Sequence, residues 1–583
     1  MDIFKRLSWF FLKEKKSYML GIFSLVVVAL LQLIPPRIIG IVVDEIETDS
    51  ITSKSLTFWL SILLVSALLQ YIFRYIWRMR IWGNAAKLEQ TVRKQLYNHF
   101  TNMDNQFFQK YRAGDLMAHA TNDLRGLRMV AGGGILTMAD AISVGLTTLL
   151  AMMFVVDWRL TLIAVFPLPL LAITSRVLGR KLHMRFRDAQ ASFSQLNDKV
   201  QESIQGIKVL KTFGQEKEDV EEFKEQTANV VAKNRLVYKI DSLFDPAITL
   251  IMGVSYFLTI LVGGLLITEN EISIGDFVTF INYIGMLVWP MFAIGRLFNI
   301  IERGSASYDR IENLLREESS IVERKGSIET PVNGDLEFFI KKFSYPEDEV
   351  TTLHDVRFSL KAGHTLGIVG KTGAGKTTIL KLLLREYDHY KGDVQYGGHD
   401  IRDYTLDALL KHIGYVPQDN YLFSTTIRDN IRFADPSLPQ EEVEAAARLA
   451  DIHDDILNLP NGYDTQVGER GVSLSGGQKQ RISIARSIIT NPELMILDDS
   501  LSAVDAKTEE SILSGLKEKR QKQTTIIAAH RISSVMHAEE IIVVEDGTIV
   551  ERGTHEQLLK LGGWYKDMYR QQQLEQKLEG EDE

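Results

Sequence analysis

Two hydrophobic patterns divide the chain, and the change falls just past its middle. In the N-terminal half the apolar positions form blocks long enough to cross a hydrocarbon layer of about 30 Å, for which about 20 helical residues suffice. Six such blocks occur, near 18–43, 56–82, 130–156, 160–178, 244–267 and 274–298. The connections after the second and fourth blocks are too long to be turns. The first carries Leu88, Val92, Leu96 and Phe100 at a spacing of four, so helices are expected to continue well below the membrane. Each connection has a break in its helical pattern, at 111–115 (Tyr111 to Asp115, around Gly114) and at 203–214 (Ser203 to Gly214). Both breaks are candidate docking elbows, and a solvent-facing turn fits them equally well. Pro35, Pro36, Pro167 and Pro169 interrupt spans, which is tolerable where neighbours satisfy the freed backbone groups. From Leu336 the pattern changes to short strands alternating with helices.

These elements predict an all-α six-span transmembrane domain followed by an α/β P-loop nucleotide-binding domain. The expected boundaries are 1–315 for the membrane domain, 316–334 for a charged linker, 335–570 for the ATPase domain and 571–583 for a polar tail.

Composition adds orientation and exclusions. Lys5, Arg6, Lys13, Lys15 and Lys16 precede the first span and no small-residue cleavage site follows, so the span is expected to be retained. The excess of positive charge puts the N-terminus, both long connections and the ATPase domain in the cytoplasm of a multi-pass plasma-membrane protein. The acidic residues from Asp44 to Asp49 and the turns at Asp157 and Glu269 to Glu271 then fall outside. A formal net charge of -9 argues against a nucleic-acid partner. The chain has no cysteine, which excludes disulfides, thiolate metal sites and a thiol nucleophile.

The chemistry centres on GKTGAGKT at 370–377, between the apolar run 366–369 and a helical run from Thr378. The spacing fits G-x-x-x-x-G-K-[ST] in its strand-to-helix context. In that motif the backbone amides of Gly370, Lys371, Thr372, Gly373, Ala374 and Gly375 curl around phosphate oxygens, and the helix N-terminus at Thr377 and Thr378 adds partial positive charge. Lys376 reaches the outer phosphates and Thr377 holds Mg²⁺. Tyr345 stands before the loop, where a ring is placed to stack on a nucleobase. Downstream come Gln418 in YVPQDN, LSGGQ at 474–478, the apolar run 494–497 closed by Asp498 and Asp499, then Ser502 to Asp505, and a strand delivering His530. Ser475, Gly476, Gly477 and Gln478 open a helix and offer a second anion site.

In order and spacing these motifs resemble those of ABC exporter half-transporters, over nearly the whole length. The resemblance implies the ABC exporter fold, with ATP and Mg²⁺ as ligands. It implies that Lys376 and the loop hold the β- and γ-phosphates, that Thr377, Asp498 and Gln418 serve Mg²⁺, and that Gln418 and His530 sense the γ-phosphate. The segment Gly468 to Gly471 would touch the cytoplasmic elbows. LSGGQ would face the ATP of another subunit, so a chain with one ATPase domain must dimerise. One position departs from the family. The catalytic glutamate is expected directly after the Mg²⁺ aspartate, and that place holds Asp499, a carboxylate one methylene shorter. A general base must lie within about 2.6 to 3.2 Å of its water, so a site that binds ATP and hydrolyses it poorly is the expectation. The heterodimeric multidrug exporters of bacteria show this asymmetry, and the chain resembles the subunit of such a pair that carries the degenerate site. The partners implied are a second, non-identical half-transporter, membrane lipid, and small hydrophobic or cationic substrates.

Inside the spans, Asp140 is the clearest intramembrane charge, and the last span contains Asn282, Tyr283, Trp289, Pro290 and Arg296. An acid among aromatics suits a cavity for amphipathic cations, with Asp140, Trp289 and Arg296 as candidate lining residues; an internal polar packing contact suits it as well. His453 with Asp451, Asp454 and Asp455 reads as a solvated helix face rather than a metal site. A DNA-repair type of ABC ATPase is excluded by the spans. A lipid or peptide exporter, or an ATP-gated channel, would share every ATPase motif.

Overall fold

The computed structural model describes residues 2–330, 332–346, 348, 350–468, 474–502, 504–519 and 523–581. The chain forms two compact units, Met1–Asn102 with Tyr111–Glu318, and Met103–Lys110 with Ser319–Glu583.

The first unit contains six helices long and apolar enough to cross a membrane, Lys15–Glu47, Ser53–Thr101, Ala113–Val156, Trp158–Gln205, Glu216–Thr268 and Ile274–Arg316. They outrun the apolar blocks because the polar extensions keep a buried stripe. Leu88, Val92 and Leu96 are buried in one cluster with Leu124, Leu127 and Ile311. The polar turns between spans act as helix starts. Thr52 and Ser273 each close a capping box, and Asp157 accepts from the backbone of Arg159 and Leu160. Pro35 and Pro36 fall in the first turn of a helix piece that restarts at Ile34, and Pro169 opens another, where a missing N–H costs least. Phe58, Leu64, Leu68 and Ile72 are exposed along one helix, an apolar surface suited to lipid rather than to water.

The first and sixth helices touch backbone to backbone where the first ends and the sixth begins. A Cβ on Gly40 would lie 2.3 Å from the Gly275 carbonyl oxygen, so only glycine permits this approach. Asp44 secures it, accepting from the Gly275 N–H at 2.6 Å and the Ser273 hydroxyl at 2.7 Å.

The two predicted elbows differ in outcome. In the first connection the helix Asn105–Lys110, just before 111–115, packs with the second unit. Asn105 donates to Glu386 at 2.6 Å, Gln109 accepts from the Tyr387 hydroxyl at 3.0 Å, and Phe107 is buried. The helical pattern does break inside 111–115, at Tyr111 and Arg112, and resumes with Ala113–Ala118, so Gly114 itself lies in helix. In the second connection Gly206 and Gly214, the latter at φ +64°, bracket a short helix Ile207–Phe213 with no buried residue.

The second unit has two sheets. β1 (Leu336–Phe343), β2 (Leu353–Leu360), β4 (Lys391–Tyr396) and β5 (His399–Asp400) form an antiparallel sheet in the order β2-β1-β4-β5. β3 (Thr365–Gly370), β6 (Ile413–Val416), β7 (Leu494–Asp498), β8 (Thr524–Ala528), β9 (Glu540–Glu545) and β10 (Thr548–Gly553) form the other, in the order β10-β9-β3-β8-β7-β6. In the second sheet β9, β3, β8, β7 and β6 are parallel neighbours. All of β7 is buried, as expected of a parallel strand covered on both faces.

Candidate nucleotide site

Parallel pairing brings four motifs to one edge. With Asp498 opposite Ala528 and Val416 opposite Leu497, the C-terminal ends of β3, β8, β7 and β6 deliver Gly370, His530, Asp498 and Gln418 to the same crevice. Ligands of open α/β sheets bind outside these carboxyl ends. From Gly370 the loop curls into the helix Lys376–Leu383 through Gly370, Gly373 and Gly375 at φ +152°, +81° and +105°. A Cβ on Gly370 would lie 2.1 Å from the Val544 carbonyl oxygen, so here both conformation and space demand glycine.

Lys376 is buried and folds back over the loop. Its ammonium donates to the carbonyls of Gly370 at 2.9 Å and Lys371 at 3.1 Å, and lies 3.4 Å from His530 Nε2. Burial pulls Lys376 below the ordinary lysine value, against the opposing pull of Asp499 and Asp498. Burial, reinforced by the Lys376 charge, likewise lowers His530 below the usual histidine value. The Thr377 hydroxyl donates to Asp498 Oδ1 at 3.1 Å, and the Tyr415 hydroxyl reaches Asp498 Oδ2 at 3.4 Å. Asp498 is only 2% exposed, and burial raises its carboxyl above the ordinary range despite the Thr377 bond. A hydroxyl and a buried carboxylate side by side form an oxygen donor pair that fits a hard divalent cation such as Mg²⁺.

Asp499 occupies the turn after β7 at φ +45°, with its N–H donating to the Ala528 carbonyl at 2.8 Å. Among the described residues no hydrogen bond engages its carboxylate, whereas its carbonyl accepts from Ser502 and Gln480. Tyr345 joins the loop through its hydroxyl, 2.9 Å from Thr378 Oγ1, and stands edge-on to Tyr387. Lys371 turns away to pair with Glu545 at 2.7 Å, and Gln418 is exposed two residues past β6.

The LSGGQ stretch begins a separate helix, Gly476–Ile488, where Ser475 and Gln478 form a capping box with each other. Of the segment 468–471, residues 469–471 lie outside the described residues, as does Ala503. Tyr415 was missed by sequence reading. An aromatic in a short strand gives no sign that its hydroxyl meets a carboxylate on the next strand.

Residues 18–291 match the model of the ABC transporter transmembrane region, and residues 353–502 match the ABC transporter model. The chain is 43% identical over 573 residues to the probable multidrug resistance ABC transporter ATP-binding/permease protein YheI of Bacillus subtilis, covering 98% of each chain. The chain belongs to the ABC transporter family. It is also 42% identical to the multidrug resistance-like ATP-binding protein MdlA of Escherichia coli, over 99% of this chain and 98% of that one. Among solved structures it is similar to a bacterial Atm1-family ABC exporter with ATP bound, at TM-score 0.77 and 25% identity, with 97% of this chain and 99% of that chain covered. This ABC transporter is therefore a half-transporter of the exporter fold, with six spans and one ATPase domain in a single multi-pass membrane chain.

In the membrane unit the structure joins two of the three candidate substrate residues. The Trp289 indole N–H donates to Asp140 Oδ2 at 2.9 Å, with Trp289 46% exposed. Arg296 is exposed on the same helix, seven residues on. Three members of the His453 group have partners outside it. His453 Nδ1 lies 2.8 Å from the Tyr463 hydroxyl, and Arg481 engages Asp455 and the Asp451 carbonyl.

Proposed function

We propose that this chain is one subunit of an ATP-driven exporter of hydrophobic or amphipathic compounds, cationic ones included, in a bacterial plasma membrane. It acts with a second, non-identical half-transporter, and its own ATP site is the degenerate one. The observation that carries this is Asp499. It directly follows a buried Asp498 beside a complete phosphate cradle, but its side chain is one methylene short of the glutamate expected there. A misplacement of about 1 Å can cost on the order of a hundredfold in rate.

In this reading Tyr345 stacks on the base, and residues 370–378 hold the phosphates, with Lys376 giving up its two carbonyl contacts to face them. Thr377, Asp498 and Gln418 hold Mg²⁺, whose chemistry is to neutralise charge on the phosphate oxygens. His530 contacts the γ-phosphate. Asp499 orients water, poorly. The chain's Ser475, Gly476, Gly477 and Gln478 serve the partner's ATP. The multidrug names of the relatives and the Asp140–Trp289 pair support a drug-like substrate.

The test is ATPase activity of the two-chain complex after Asp499→Asn here and after Glu→Gln at the matching position of the partner. The first should leave substantial turnover and the second nearly none. If the purified chain alone hydrolyses ATP and transports as fast as the mixture, the heterodimer reading fails.

A further inference from the structure

The turn that carries His530 is held from behind by a single side chain of the last helix. β8 ends at Ala528, and the main chain bends through His530 and Arg531 into the short helical turn Ile532–Ser534. A bend of this kind leaves peptide groups without strand partners, and a buried peptide group needs one. Gln572 supplies two at once. Its Nε2 donates to the His530 carbonyl at 2.9 Å, and its Oε1 accepts from the Ile532 N–H at 2.9 Å. A carboxamide is a neutral group that presents a donor and an acceptor side by side, and here it brackets the peptide units on either side of Arg531.

The support behind Gln572 is firm. Its helix, Trp564–Glu581, starts where Glu551 accepts from the N–H groups of Trp564 and Tyr565. Tyr565 is fully buried, with its hydroxyl 2.7 Å from His555 Nδ1. On the opposite side of the bend, Arg531 donates to the Val504 carbonyl at 3.0 Å and to Glu509 at 3.2 Å. Glu509, 3% exposed, also accepts from Ser534. The bend is thus fixed on two sides while the imidazole projects to within 3.4 Å of the Lys376 ammonium.

We infer that Gln572 is a positioning residue for this chain's nucleotide site: it sets the main chain from His530 to Ile532 and so aims the His530 imidazole at the γ-phosphate. The inference rests on the γ-phosphate role given to His530 above. It also makes the last helix part of the nucleotide machinery, since a shift of that helix would move the imidazole.

The decisive quantity is the preference of this chain's own site for ATP over ADP, because only ATP offers a γ-phosphate to His530. It is read on the full-length transporter by photolabelling with 8-azido-ATP, resolving this chain on a gel, and measuring protection by ATP and by ADP with Mg²⁺. Both His530→Ala and Gln572→Ala should reduce the ATP preference by about tenfold. The double variant should be no worse than His530→Ala alone, because Gln572 acts through the histidine. Gln572→Glu keeps the side chain's length and its acceptor for the Ile532 N–H but sets a carboxylate oxygen against the His530 carbonyl, acceptor against acceptor, and should lower the preference at least as far as Gln572→Ala; it also decides the matter if the alanine variant does not fold. An unchanged preference in the Gln572 variants while His530→Ala loses it, or multiplying effects in the double variant, overturns the clamp. No effect of His530→Ala would overturn the role of His530 and the clamp with it.

Discussion

The Thr377 hydroxyl donates to Asp498 Oδ1 across 3.1 Å, joining the first turn after the glycine loop to the end of the neighbouring strand. Asp498 is buried and its carboxyl is pushed up in proton affinity, so a divalent cation beside it would relieve an unfavourable concentration of negative charge with Asp499. Asp498→Asn should therefore abolish most of the Mg²⁺ dependence of ATP binding, and Thr377→Ala should weaken it by about tenfold. ATP affinity measured with Mg²⁺ and with EDTA checks both. Equal Mg²⁺ enhancement in parent and variants would remove these residues from the metal site.

Lys376 carries a buried ammonium whose charge is costly until phosphates face it. Replacing it should separate stability from binding. In Lys376→Ala the nucleotide-free protein should melt close to the parent, while ATP affinity at this chain's own site falls about 10- to 100-fold, the range expected for losing charge-assisted hydrogen bonds. Melting curves with and without ATP, with the partner's glycine loop disabled, show both effects. Retained ATP-dependent stabilisation at that site would refute the assignment.

Sequence pattern revealed what is local or periodic, and little that depends on a single tertiary contact. The six spans were legible because a membrane sets a length, and the nucleotide loop because glycines at left-handed positions leave a fixed spacing. The break expected at 111–115 falls at Tyr111 and Arg112, but the segment that packs in the second unit lies just before it. Gly114 looks like a break, but Phe107, Gln109 and Asn105, which engage the second unit, carry no local signal. Gln572 was hidden more thoroughly. It lies in a stretch whose composition reads as a polar tail, and its two bonds reach back about forty residues in sequence to His530 and Ile532.

Asp140 and Trp289 give the membrane unit a test that preserves packing. Asn at 140 keeps an oxygen to accept the Trp289 N–H now 2.9 Å away, and removes only the charge. If the pair lines a substrate cavity, Asp140→Asn should reduce transport of cationic dyes several-fold while neutral hydrophobic substrates are little affected. Inverted vesicles containing both half-transporters report the two substrate types side by side. Equal effects, or none, would make the pair a packing contact.

Asp499 stands at φ +45°, a conformation that aspartate adopts more readily than glutamate. Asp499→Glu should therefore have two opposed effects. The longer side chain reaches further toward the attacking water and should raise hydrolysis at this chain's own site, by up to about a hundredfold if reach alone is the defect. The less favourable backbone should cost about 1 kcal/mol, seen as a melting temperature lower by about 2–4 °C for a domain of this size. Turnover is best measured with the partner's catalytic glutamate replaced by glutamine, so that this site alone contributes, and melting in the nucleotide-free state. A lower melting temperature with no gain in turnover would show that a feature other than side-chain length limits this site.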